Sequence, residues 1–246
     1  MTAVPGRMPT HGMVLAAGLG LRMRPLTDTK PKPLIPVAGR CMLDRALDHL
    51  NAAGVTRRVV NSHYLAEQIA AHVRARETDE GGRAAIAVSH EADLLDTGGG
   101  VVKALPLLGA APFFVVNGDI LWRDGNEPAL RRLAATWDDG AMDALLLIHP
   151  RDQAIGYDGA GDFHLCDGGL VARRDGATAP FVFTGVQLLS PRLFAGAPGG
   201  AFSLNLLYDR AIAARRLRGL VHTGQWFHIG TPDGLRLAED RLRASL

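Results

Sequence analysis

Short apolar runs alternate with stretches of helical periodicity along the first 150 residues, and few folds accommodate that alternation. Residues 13–17 form an apolar run closed by Gly18, the pattern of a buried strand. Residues 42–53 place Leu43, Ala46, Leu47 and Leu50 at helical spacing, with Gly54 as a stop. The order continues with a strand at 58–61, a helix at 65–76, a strand at 84–89 and a short helix at 99–108. A buried strand at 113–116, a helix at 128–137 with proline in its first turn, and a strand at 144–148 complete it. Strand–helix alternation predicts an α/β fold: a Rossmann-like, mostly parallel sheet with helices on both faces.

The second half is less regular. Residues 163–173 read as a hairpin turning at Asp167, Gly168 and Gly169. Residues 181–189 read as a strand, 204–214 as a helix, and 220–223 and 226–229 as short strands. A closing helix at 232–244 follows Thr231 as its cap. No linker or internal repeat divides the chain. Residues 13–246 are expected to form a single domain with a small hairpin-containing subregion, and residues 1–12 a disordered extension.

Composition excludes several classes. The 27 Lys and Arg against 25 Asp and Glu leave a formal charge of +2, and the basic residues are scattered. A nucleic-acid binder concentrates positive charge to neutralise phosphates, so none is expected here. No apolar run approaches the ~20 residues of a membrane span, and residues 1–12 lack the regions of a signal peptide. Cys41 and Cys166 form neither a CxxC nor a zinc spacing, which fits a reducing, cytoplasmic compartment with both thiols buried.

Ligands of open parallel sheets lie beyond the carboxyl ends of the strands. Three unusual segments fall there: the Gly/Pro-rich stretch at 18–40, residues 96–100, and Asn117, Gly118 and Asp119. In the first, Ala16 and Ala17 precede Gly18 and Gly20, so backbone N–H groups can approach an anion closely. Arg22 offers a planar fork for phosphate, and Lys32 a point charge between Pro31 and Pro33. Two standard phosphate motifs are absent: Met23 stands where a dinucleotide fingerprint needs glycine, and no Gly-Lys-Ser/Thr occurs. A lone Gly-x-Gly is usually a surface turn, but here it joins a basic pair at the end of a first strand. Asp119 after an apolar strand is a candidate ligand for a hard cation such as Mg²⁺.

Gly-x-Gly-x-Arg-x-Arg-Pro-x-Thr at 18–27, followed by Pro31-Lys32-Pro33, resembles the signature of the sugar-1-phosphate nucleotidyltransferases. The resemblance runs on through Thr97 to Gly100, Asn117 to Asp119, Phe183 to Gly185 and Gly230 to Pro232. It covers roughly residues 13–240. Within the family it is nearest to the N-acetylmuramate-1-phosphate uridylyltransferase group, by Lys103 to Leu108 after the Thr-Gly-Gly-Gly segment and by Gly161 to Phe163. Mannose-1-phosphate guanylyltransferases share most of these features and rank second.

The resemblance implies the nucleotide-diphospho-sugar transferase fold and in-line transfer of a nucleotidyl group to a sugar 1-phosphate, with Mg²⁺. The nucleoside triphosphate is UTP by preference and GTP second. Arg22 would hold the leaving phosphates, and Lys32 would neutralise charge near the α-phosphate. Ala16, Ala17, Gly18 and Gly20 would contact the nucleotide, with Asp119 on the metal. Glu91 takes the place of a base-reading residue, aided by Thr97 and Gly98; a carboxylate only accepts, which disfavours cytosine and adenine. Asn117 would reach ribose or sugar hydroxyls, and Thr184 and Gly185 would form a sugar-binding turn.

Two departures stand out. His228 occupies the position of an Asp that serves relatives as second metal ligand, and histidine prefers softer metals. It coordinates the ion, contacts a phosphate, or simply packs. The Glu-Lys-Pro whose lysine grips the sugar phosphate is missing, leaving Arg173, Arg174 or backbone to substitute. Asn61 is a further possible contact, or a capping residue. These departures also admit a nucleotide-sugar-binding regulator without catalysis. No hexapeptide repeat is present, so a single activity is expected, and oligomeric state stays open.

Overall fold

The computed structural model describes residues 8–79 and 85–244. Strand β1 (His11–Leu15) leads into the glycine loop and a small ribbon, β2 (Pro36–Val37) with β3 (Arg40–Cys41). Then come α1 (Met42–Ala52), β4 (Arg57–Ser62), α2 (Ala66–Asp79), β5 (Ala85–His90), α3 (Asp96–Leu108), β6 (Phe113–Asn117) and β7 (Leu121–Arg123). Next are α4 (Ala129–Thr136), β8 (Ala144–Pro150), β9 (Phe163–Leu165), β10 (Val171–Arg173) and β11 (Phe181–Leu189). The chain closes with α5 (Asn205–Ala213), β12 (Leu217–Val221), β13 (Gln225–Phe227) and α6 (Pro232–Arg243).

Nine strands form the main sheet. Its first half, β6-β1-β4-β5, is wholly parallel. β11 then enters antiparallel between β6 and β8, β12 runs parallel to β8, and the β9–β10 hairpin pairs through Phe163 with Phe181. Alternation along each central strand sends side chains to opposite faces. Val14, Phe114 and Val116 pack with Leu43, Leu47 and Leu50 of α1, Ile69 and Val73 of α2, and Leu130 and Leu133 of α4. Met13, Phe113 and Val115 pack on the other face with Val101 and Ala104 of α3 and Leu207 and Tyr208 of α5. Helices therefore cover both faces, as the alternation predicts. A third apolar cluster joins Met23, Ile35, Val37, Leu121, Phe227 and Ile229 to Ala238 and Leu242 of α6.

Three expectations need correction. β1 begins at His11, inside the segment read as a disordered extension, because the ladder with β4 starts at His11 and Arg57, and Thr10 O already accepts Arg57 N at 3.0 Å. Met8 packs against the core as well, whereas residues 1–7 lie outside the described residues, as does Ala84, the expected start of β5. Cys166 is exposed; only Cys41 is buried, where its Sγ caps α1 by accepting Asp44 N. The segment at 96–100, read as a loop before a short helix, is itself the first turn of α3.

Each glycine of that turn answers a separate close approach. A side chain at Gly98 would strike the Phe202 ring, and one at Gly99 the Gly200 carbonyl. At Gly100 a Cβ would stand 2.7 Å from Glu91 Oε1. The N–H groups of Gly98 and Gly99 donate to Phe202 O at 2.8 and 3.2 Å, so the start of α3 is capped by protein.

Away from this edge, Asp44 of α1 accepts from His72 Nε2 at 2.9 Å and from Arg76 at 2.8 Å, tying α1 to α2. Cys41 Sγ lies 3.6 Å from the same imidazole nitrogen. The guanidinium on the shared carboxylate makes this cluster an ion-pair network ill suited to a cation.

Candidate active site

A cavity of about 610 Å³ opens at the carboxyl edge of the parallel strands. Its floor is the end of β1 and the glycine loop, with Ala16, Ala17, Gly18 and Gly20 in its lining. A Cβ on Gly18 would meet nothing within 4 Å, so this backbone faces open space. Gly20 has φ +64°, and a side chain there would stand 2.9 Å from Thr27 Cγ2 and 3.0 Å from Lys32 Cβ. The Thr27 hydroxyl donates to Gly20 O at 2.9 Å, closing the loop on itself. From α2, Gln68 donates to Thr29 O at 2.9 Å, and just before that helix the Tyr64 hydroxyl donates to Thr27 O at 2.8 Å.

Three charged groups converge on the cavity. Lys32, 7% exposed, places Nζ 2.7 Å from Asp119 Oδ2. Gly118 fixes that aspartate at the end of β6: its N–H donates to Leu15 O at 2.8 Å, and a Cβ would collide with that oxygen. Arg22 also lines the cavity, exposed and without an ion pair among the described residues. Asp119 Oδ1 has no hydrogen-bond partner among them either, so one hard oxygen donor is open toward the cavity. That donor fits Mg²⁺, which takes one or two carboxylates plus phosphates and waters.

The wall from β5 and α3 differs from expectation. Thr97 lines the cavity, with its hydroxyl accepting Leu204 N at 3.0 Å. Gly98 does not; it is sealed against Phe202. Glu91 is fully buried and outside the lining. Its Oε1 accepts Asn61 Nδ2 at 2.7 Å and its Oε2 accepts Leu95 N at 3.0 Å, so both oxygens are engaged inside the protein. Asn61 is the residue that lines the cavity, and its Oδ1 accepts Ala16 N at 2.6 Å. The Ala16 N–H is thereby engaged inside the protein. Leu94 and Asp96, assigned no individual role from the sequence, complete this wall.

On the opposite side Asn117 lines the cavity, but the expected sugar-binding turn does not. Thr184 is fully buried; its hydroxyl donates to Leu147 O at 2.7 Å and accepts Val186 N at 3.3 Å. It bridges an irregularity where β11 shifts register against β8. Gly185 has φ +85°, and a Cβ there would stand 2.9 Å from Asn117 Nδ2, so this glycine makes room for Asn117. Arg173 is committed elsewhere, paired with Asp209 at 2.7 Å.

His228 stands beside the cavity without lining it. Its ring meets Tyr157 edge-on at 5.6 Å and Trp226 at 5.9 Å, and a side chain on cavity-lining Gly230 would strike its Nε2. Burial first, then the positive charge of Lys32 and Arg22, holds the imidazole below the usual histidine range.

The profile of the nucleotidyl transferase family matches residues 11–159, the span that carries the glycine loop, Lys32 and Asp119. The chain belongs to the nucleotidyl transferase family. It is 44% identical over 95% of its length to N-acetylmuramate alpha-1-phosphate uridylyltransferase of Caulobacter vibrioides, covering 97% of that protein. The protein of the same description from Neisseria meningitidis serogroup B is 36% identical, with 92% of this chain and 96% of that one covered. Mannose-1-phosphate guanylyltransferase catalytic subunit beta of Danio rerio is 36% identical over 44% of this chain and 30% of its own. Among solved structures, a UDP-glucose pyrophosphorylase complexed with UDP-glucose superposes with a TM-score of 0.79 at 15% identity, covering 97% and 100% of the two chains. HddC from Yersinia pseudotuberculosis complexed with GMP-PN gives 0.74 at 22%, covering 95% and 99%. The fold of this nucleotidyl transferase is thus the one these structures share.

Proposed function

We propose that this nucleotidyl transferase joins UTP and N-acetylmuramate 1-phosphate into UDP-N-acetylmuramate, releasing pyrophosphate, in the cytoplasmic recycling of cell-wall sugar. The observation that carries the reading is the convergence of Arg22, Lys32 and Asp119 on one cavity above the glycine loop. Near end-to-end likeness to two uridylyltransferases supports the choice of substrates, whereas likeness to the guanylyltransferase stops short of half the chain.

Transfer of this kind asks the protein for alignment and charge neutralisation. The sugar phosphate oxygen attacks the α-phosphorus in line, the bond to the β-phosphate oxygen breaks, and pyrophosphate leaves. Lys32 carries positive charge to the α-phosphate. Arg22, without an ion pair among the described residues, holds the leaving pyrophosphate. Gly18 lets the triphosphate lie against backbone, and Asn117 contacts ribose or sugar hydroxyls. Mg²⁺, held by Asp119 together with the phosphates, would supply further neutralisation of the triphosphate.

Pyrophosphate release with UTP, GTP, CTP and dTTP, each with N-acetylmuramate 1-phosphate or mannose 1-phosphate, tests the reading. Turnover is expected with UTP and the muramate. Turnover with GTP and mannose 1-phosphate instead would replace it with the guanylyltransferase reading, and nucleotide binding without turnover would make the chain a regulator.

A further inference from the structure

Glu91, Asn61 and Ala16 form a buried chain of hydrogen bonds that ends at the cavity, and only Asn61 and Ala16 touch it. An asparagine amide is by itself ambidextrous, since its oxygen and nitrogen ends exchange on a half-turn. Here the half-turn is forbidden twice. Ala16 N–H needs an oxygen opposite it, and both Glu91 oxygens need donors, Asn61 Nδ2 and Leu95 N. Asn61 is then left with one amide hydrogen and one lone pair, in a fixed orientation. Gly100 is part of the same device, because a Cβ there would stand 2.7 Å from Glu91 Oε1 and 2.9 Å from Asn61 Nδ2.

We propose that Glu91 is a positioning residue that locks the Asn61 amide, and that Asn61, so locked, selects a keto over an amino group on the nucleobase. The inference rests on the reading of the cavity as a UTP site. In this reading the free N–H of Asn61, rather than its free lone pair, faces the base: held in one orientation, it donates to the carbonyl of uracil and opposes the exocyclic amine of cytosine. A flipped amide would reverse that preference. Base selection thus passes from a buried carboxylate to the surface through a rigid amide, and the third glycine of α3 exists to leave it room.

The test compares the parent, Glu91→Gln, Asn61→Ala, the double variant and Gly100→Ala, reading KM and kcat with UTP and CTP. A glutamine amide in place of the carboxylate offers a single acceptor oxygen. It cannot present an acceptor to both Asn61 Nδ2 and Leu95 N–H, so one contact is lost or turned repulsive and the lock, left chiefly to Ala16 N–H, is weakened. The expected result is a KM for UTP raised about tenfold with kcat far less affected, and a UTP-over-CTP preference narrowed by a similar factor. The double variant should match Asn61→Ala alone, because one residue acts through the other. Gly100→Ala, outside the cavity, should reproduce the Glu91→Gln pattern. A purely structural role would lower melting temperature and active fraction without altering the UTP-to-CTP ratio, and that outcome overturns the proposal. Additive single effects overturn it too, since they mean that Glu91 meets the base itself. Should Glu91→Gln not fold, parental KM and preference in Asn61→Ala suffice to reject it. A parent that turns over UTP beside an unaffected Asn61→Ala sinks this inference alone; a parent inert to UTP sinks the substrate reading as well.

Discussion

Lys32 Nζ and Asp119 Oδ2 stand 2.7 Å apart, so the cation proposed for phosphate and the carboxylate proposed for metal neutralise each other in the free protein. Under the proposed mechanism a magnesium nucleotide competes for both groups of this pair. Replacing Lys32 by Met removes the competitor for the carboxylate, and the half-saturating Mg²⁺ concentration should fall several-fold. The same change should lower kcat about 10²–10³-fold, the usual loss for one group that neutralises transition-state charge. Metal titrations of turnover check both directions; unchanged Mg²⁺ dependence would separate Asp119 from the metal.

Arg22 lacks an ion-pair partner among the described residues and stands exposed at the cavity rim. Arg22→Ala should therefore leave the melting temperature within a degree or so, as expected for an exposed residue with no packing role. Its loss should appear in kcat/KM for the triphosphate, about 10²-fold or more. A pyrophosphate inhibition constant, measured in parallel, should weaken by a comparable factor.

Thr184 is a fully buried hydroxyl inside β11, outside the cavity lining. Thr184→Val strands the Leu147 carbonyl and the Val186 N–H in a buried setting. A loss of about 1–3 kcal/mol of stability follows, read by denaturant titration. KM for the sugar phosphate should stay parental, and a large rise would return Thr184 to the binding surface.

The His72 imidazole is pushed up to about 10, chiefly by its hydrogen bond to Asp44 and then by Cys41. Folding therefore raises its affinity for a proton, and the stabilisation is complete below the ordinary value of 6.5. It fades as pH rises from there and is gone above about 10. Melting temperature should fall between about pH 7 and 10, and His72→Gln should flatten that limb. An identical slope in both proteins would rule out this imidazole as the cause.

The central strands and the glycine loop are readable because their signals are local. An apolar run before Gly18, a proline-flanked Lys32 and an acid after residues 113–116 each depend on a few neighbours. Glu91 and Thr184 mislead for a different reason. Glu91 lies one residue past the end of β5 and Thr184 beside an irregularity in β11, where period-two alternation no longer says which way a side chain points. Gly185 at φ +85° breaks the alternation beside Thr184. For Glu91 the decisive neighbour is Gly100, whose missing side chain makes the space for the carboxylate. The three glycines of α3 read as a loop for the same reason, since their purpose lies in Phe202, Gly200 and Glu91 rather than in their own conformation. β12 starts at Leu217 rather than Leu220 because its pairing with β8 overrides Arg218 and Gly219, neither of which signals a strand.

The apolar cluster behind the cavity ties Met23, next to Arg22, and Ile229, next to Gly230, to Ala238 and Leu242 of α6. A helix near the end of the chain thus works as a latch on two rims at once, with Glu239 accepting Ala38 N at 3.1 Å as its catch. Fraying of those last turns would let the rims part while the nine-stranded sheet stayed whole. Grip on substrate and survival of the fold are therefore governed by different parts of the molecule, and heat should loosen the first before it reaches the second.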